Sequence, residues 1–94
     1  MRDQDFEWDE TKNASNCVKH GVTLGHAQLA FADPFAVAEY DDRDDYGEDR
    51  FTLVGMVEST LIFVAYTERD DSIRIIMARR ATRHEQDDYY EQNG

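Results

Sequence analysis

Lysine is nearly missing from this chain: there are two, against eight arginines and twenty-one acids, for a formal net charge of −11 over 94 residues. Proteins that hold nucleic acid by overall charge are basic, so a uniformly cationic surface is excluded. Two accounts are left. The acidic, lysine-poor surface suits a high-salt cytoplasm, or the acidity is local and one working face stays positive. Cysteine occurs once, at Cys17, which excludes an internal disulfide and fits a reducing cytoplasm. Cys17 reads as a small helix residue, although Lys19 and His20 leave a nucleophilic thiolate open. No run of eighteen apolar residues occurs, so no membrane-spanning helix is expected. The opening Met-Arg-Asp-Gln-Asp has no apolar core of a secretory signal. Glycine-rich phosphate loops and a serine nucleophile elbow are absent. His20, His26 and His84 have no partners at metal-ligand spacing, and the acidic run 41–49 lacks the Gly and Glu positions of a calcium loop. No metal and no cofactor is therefore expected.

What is present is segregated. Residues 41–50 carry six acids and two bases, and residues 85–94 four acids and no base. Residues 69–84 carry five arginines and two aspartates. Blocks of like charge are commonly solvated loops. Segregation of this kind also prepares a face for a partner.

The chain reads as one domain over residues 1–94, with 1–5 and 91–94 as flexible ends. Residues 4–8 suggest a short strand and 9–20 a helix. Asp9 stands at its N-cap, Lys19 and His20 near its negative end, and Gly21 at its left-handed stop. Thr23 can cap a second helix reaching Ala32, which the single proline, in Asp33-Pro34, brings to an end. Strands are expected at 35–40, 50–58, 61–67 and 73–80. Phe51, Leu53, Gly55 and Val57 alternate onto one face, and 61–67 is apolar enough to be covered on both. Thr82-Arg83-His84-Glu85 is a capping box opening a last helix. These elements predict an α+β fold: a small antiparallel sheet of about four to five strands, packed by two N-terminal helices and one C-terminal helix.

On strict alternation, Arg74, Ile76, Ala78 and Arg80 share one face of the last strand, and Ile73, Ile75, Met77 and Arg79 the other. Arginine suits phosphate because its planar fork donates two parallel hydrogen bonds. Pairing with nearby acids is the bland reading, favoured for Arg43, Arg69 and Arg83 singly, whereas Arg79-Arg80 beside a capped helix favours function. Lys12 and Lys19, two helical turns apart, lie near one face. His20 is either a proton carrier or a helix C-terminal cap. Trp8 reads as core. Tyr89 and Tyr90 read as helix packing, with donation to a phosphate as the other option.

Helix capping does not require Trp8, Lys12, Asn16, Lys19 and His20 together. That set, with Phe31-Ala32-Asp33-Pro34, Gly47-Glu48-Asp49-Arg50, Gly55, Tyr66-Thr67-Glu68-Arg69 and the run Ala78-Arg79-Arg80-Ala81-Thr82, resembles the BrnT toxin family over about residues 6–90. The resemblance implies a RelE-like fold and a metal-independent endoribonuclease that inhibits translation in the cytoplasm. It implies a BrnA-type antitoxin as partner, RNA that is free or ribosome-bound as substrate, DNA met only through the antitoxin, and no membrane. Two features depart from the family: its members are often neutral or basic, and the turn before the long strand is usually Glu-Glu-Arg-like where this chain has Glu48-Asp49-Arg50. With the chemistry in view, His20, Arg50, Arg79 and Glu48 are the candidate catalytic residues. Lys12, Lys19, Arg69, Arg74, Arg80 and Arg83 are the candidate RNA contacts. This reading requires one positive cleft joining Lys12, Lys19, His20 and Arg79. The competing reading is a catalytically silent module of the same fold that binds the antitoxin, with an exposed sheet edge open to strand addition.

Overall fold

The computed structural model describes residues 5–42 and 47–93. Expectations for residues 1–4, 43–46 and 94 lie outside the described residues. The elements, in order, are β1 (Asp5–Glu7), α1 (Glu10–His20), α2 (Leu24–Ala27), a 3-10 helix (Gln28–Ala32), β2 (Val37–Asp41), β3 (Arg50–Val57), β4 (Thr60–Arg69), β5 (Ser72–Arg80) and α3 (Arg83–Asn93). Residues 91–93, expected in a flexible end, complete α3.

The strands form one sheet in the order β1-β5-β4-β3-β2. Its β2–β5 part is an antiparallel meander, as the short turns require. The sheet is nevertheless mixed, because β1 pairs parallel to β5. This corrects the purely antiparallel expectation. Strand β1 is separated from β5 by most of the chain, and a connection of that length permits the parallel crossover.

One face of the sheet is the main core. Leu53, Val57, Ile62, Val64, Tyr66, Ile73, Ile75 and Ala78 pack there against Val22, Leu24, Ala27 and Ala30. Gly55 lies where the 3-10 helix crosses β3. A Cβ there would collide with the backbone carbonyl of Ala30, so close approach rather than turn geometry demands glycine. Trp8 packs against this cluster and donates its indole N–H to Glu10 at 3.0 Å. The opposite face holds a smaller cluster, Leu61, Ala81 and Tyr89 with Val37, Val54 and Met56, over which α3 lies.

Helix α1 buries one residue, and it is polar: Asn16. Its amide donates to Val22 O at 2.7 Å and Ala78 O at 2.8 Å, and accepts from Ala78 N at 3.2 Å. Strand β1 covers β5 only at Ser72–Arg74. Beyond it the Asn16 side chain answers both backbone groups of Ala78, as a neighbouring strand would. The second expected helix divides into α2 and the 3-10 helix. Asp33 ends it and then fastens α3. Its carboxylate accepts from Phe35 N at 2.9 Å, Met56 N at 2.7 Å and the Tyr89 hydroxyl at 2.7 Å.

Candidate active site

Strand β5 does not alternate strictly. The register with β4 slips between Ala65 and Tyr66, so that Ala65 faces Met77 while Tyr66 faces Ile75. The extra residue, Ile76, forms a bulge. It moves Ala78 and Arg80 onto the face of Ile73 and Ile75, and leaves Arg74, Met77 and Arg79 together on the face of α3. The expected grouping of Arg74 with Ala78 and Arg80 is thereby overturned: a run of single letters does not reveal a bulge.

The α3 face gathers six of the ten expected site residues. Arg74 faces Thr67 on β4 and Glu7 on β1, with Arg74 Nη1 3.4 Å from Glu7 Oε1. Arg50, out of phase with the core residues Phe51 and Leu53, faces Asp41 on β2. Glu48 lies between two guanidinium groups, 3.4 Å from Arg69 Nη2 and 4.0 Å from Arg50 Nε. The neighbouring backbone is held in place, since Thr67 Oγ1 donates to Asp49 O at 2.5 Å and the Tyr40 hydroxyl to Asp49 Oδ1 at 3.1 Å. The Asp49 hydrogen bond and charge push the Tyr40 hydroxyl above its ordinary range.

Arg79 is the most constrained member. It stacks over the Phe63 ring, 4.0 Å from the centroid. Its two terminal nitrogens donate to the two Glu85 oxygens at 2.8 and 3.0 Å. Glu85 is also the capping-box acid of α3. It accepts from Thr82 N at 2.9 Å, while Glu85 N donates to Thr82 Oγ1 at 3.2 Å. Burial works to raise the Glu85 carboxyl, but the Arg79 and Thr82 hydrogen bonds and the Arg79 charge outweigh it and hold the group below its ordinary range. Arg79 is thus as much a fastener of α3 as an anion site. Arg83 is exposed on α3 and pairs with Asp87 at 3.3 Å.

The other four residues are elsewhere. Lys12, Lys19 and His20 stand on α1, and among the described residues no hydrogen bond or ion pair joins them to Arg79. Arg80 opens on the core-face side, into a cleft with Thr23, His26, Glu58 and Thr60. The residues expected to line one positive cleft are carried by different elements, Lys12, Lys19 and His20 by α1 and Arg79 by β5 on the side of α3. The physical reason is that α1 is committed through Asn16 to the edge of β5, while Arg79 projects beneath α3.

The sequence pointed to His20 as the proton carrier and gave His84 no such role. His84 lines the α3-face cleft with Thr52, Phe63 and Glu85, its Nε2 3.4 Å from Asp88 Oδ2. The available signal was its place in the capping box, one residue before Glu85. Tyr89 does not face a phosphate site; its hydroxyl is given to Asp33, and burial with that hydrogen bond and the Asp33 charge pushes it up to about 12. Among the described residues no group of three or more His, Cys, Asp or Glu side chains could hold a metal ion, and no helix is long and apolar enough to cross a membrane.

What the arrangement offers is a row of guanidinium groups across a sheet face, two carboxylates set among them, and one histidine at the rim. Such a set can bind a phosphodiester and exchange protons beside it. Residues 8–85 match the sequence family described as "Ribonuclease toxin, BrnT, of type II toxin-antitoxin system". No curated protein matches the chain.

Proposed function

The chain belongs to the BrnT family of ribonuclease toxins from type II toxin–antitoxin systems, and from that premise we propose that it cleaves RNA without a metal ion, on the sheet face that carries Arg50, Arg69, Arg74 and Arg79. In this reading the fold is RelE-like and the protein works in the cytoplasm. It stops translation by cutting RNA, free or on the ribosome, until a BrnA-type antitoxin binds it. DNA is met only through the antitoxin.

The observation that carries the reading is the convergence of four arginines with Glu48 and Glu85 on one face. Metal-free cleavage must activate the 2′-hydroxyl, stabilise charge on the phosphorane and protonate the 5′-oxygen. Arg50, Arg69 and Arg74 supply preorganised donors for the phosphorane oxygens. Glu48, held between two guanidinium groups, is the base for the 2′-hydroxyl. His84 takes the proton-donating role first assigned to His20, a contribution of roughly 10²–10⁴-fold. Arg79 reaches a phosphate only by exchanging Glu85 for it. Lys12, Lys19, His20 and Arg80 fall outside this site.

The second reading, a silent antitoxin-binding module, is favoured by one fact: Arg50, Arg69, Arg74 and Arg79 each already face a carboxylate. Cleavage of an end-labelled RNA by purified protein, in chelator and across a range of salt, separates the two. The toxin reading expects cleavage indifferent to chelator and slowed about 10²-fold or more in Arg74→Ala. Loss of cleavage in chelator refutes the metal-free mechanism, and a fully active Arg74→Ala refutes the site. Failure to cleave at any salt, with no growth arrest on expression, favours the silent module.

A further inference from the structure

We propose that the outer edge of β2, with the acidic groove between it and α3, docks an extended basic segment of a protein partner as an added sixth strand. Among the described residues β2 pairs with β3 alone. It ends the sheet, and Ala38, Glu39 and Tyr40 are exposed. An open edge is a template for another strand, and proteins usually blunt it with lysine, proline or a bulge. Val37–Asp41 contains neither lysine nor proline, and its register with β3 is unbroken.

The protection it does have is negative charge. Glu39 and Asp42 line the groove beside the edge, with Asp88 facing them from α3. Asp88's described partner is His84, which carries charge only when protonated. Against a second copy of this chain the device is repulsive, since Glu39 would meet Glu39 and both chains are strongly acidic. A basic strand is attracted, and the charge on the edge thereby selects its occupant.

Side-chain alternation specifies the segment further. Val37 and Glu39 project toward α3, whereas Ala38 and Tyr40 project to the other side. Tyr40 is 58 % exposed, as is Phe35 just before the strand. The fitting sequence is therefore about five residues long, with lysine or arginine at alternate positions facing Glu39 and Asp88, and apolar side chains between them facing Ala38 and Tyr40. Phe63 and Glu85 line the same groove, so a docked segment lies against the partner of Arg79. Identifying the partner with the antitoxin rests on the toxin reading; the docking itself does not.

The test is a fluorescence-anisotropy titration of a labelled peptide of alternating lysine and valine. Its N-methylated form, which cannot complete the strand ladder, and an alternating glutamate–valine peptide are run beside it. The expected result is salt-sensitive binding of the Lys-Val peptide, weaker by about tenfold or more for the N-methylated form and for Glu39→Lys and Asp42→Lys proteins, as attractive cross-strand contacts become repulsive or the ladder is lost. No binding of the Lys-Val peptide overturns the proposal, as does equal binding of the glutamate peptide or of the two protein variants. Equal binding of the N-methylated peptide overturns the strand addition. RNA cleavage by Glu39→Lys, measured in parallel, reports on the toxin reading separately.

Discussion

Replacing Asn16 with alanine removes the one side chain that α1 buries, and the structure allows its cost to be worked out. Three hydrogen bonds go: to Val22 O at 2.7 Å, to Ala78 O at 2.8 Å and from Ala78 N at 3.2 Å. Each is worth about 0.5–1.5 kcal/mol net, and a buried backbone group left without a partner costs about 1–3 kcal/mol. Alanine recovers about 0.5 kcal/mol or so through its helix propensity. The balance is a loss of about 2–4 kcal/mol, a large share of the roughly 5–15 kcal/mol that holds a small domain together. Urea unfolding of wild type and Asn16→Ala measures it. Hydrogen exchange at the Ala78 amide provides the local check, since that N–H loses its acceptor. Lys12→Ala, one turn away and exposed, is the control, with an expected change within about 0.5 kcal/mol. A loss below about 1 kcal/mol in Asn16→Ala, or unchanged protection of Ala78, refutes the view that Asn16 stands in for a strand.

Further outcomes follow from the same contacts. Gly55→Ala drives a methyl group against the Ala30 carbonyl and is expected to cost about 1–3 kcal/mol in urea unfolding; an unchanged midpoint would show that the 3-10 helix can retreat. Burial opposes ionisation of Asp33, but hydrogen bonds from Met56, Phe35 and Tyr89 outweigh it and hold the carboxyl below its ordinary range. Glu85 is likewise depressed. The stability tied to these two groups is therefore present above their unfolded values of 3.8 and 4.5, and is lost as pH falls below them through the folded values. Acid titration followed by circular dichroism should show a shallower acid limb for Asp33→Asn than for wild type, and parallel curves would refute the coupling. For Tyr89 the sign reverses: its raised value of about 12 gives stability that is full below 10 and lost as pH climbs toward 12. Ultraviolet titration should show a tyrosine ionising near 12, missing in Tyr89→Phe. Glu85→Gln, which keeps a capping-box acceptor for Thr82 N but not the charge, should destabilise less than Glu85→Ala, whose loss is about 1–2 kcal/mol; equal losses would show that the Arg79 pairing, not the cap, is what matters.

Much of the fold was legible in the sequence because it depends on neighbours a few residues apart. Asp9 at the N-cap and Gly21 in the left-handed stop of α1 follow from local hydrogen bonding and φ. The capping box Thr82–Glu85 does too, and so does the alternation along β3. The parallel pairing of β1 with β5 was not legible, because it joins residues at opposite ends of the chain.

The candidate site divides along the same line. The sequence by itself determined which residue types could meet a phosphate, and it determined that the arginines crowd into one segment while the acids crowd into others. Only the tertiary structure decided which of them meet. The bulge at Ile76 took Arg74 to the side of Arg79 and sent Arg80 to the other. Asn16 fixed α1 to the edge of β5, and Lys12, Lys19 and His20 stayed with it. Glu85 reached back from α3 to take Arg79, and His84 came with it. Spacing along a chain sets the face of a helix or strand only while the period holds. Which faces then share a site is fixed by backbone hydrogen bonds made between elements far apart in the chain.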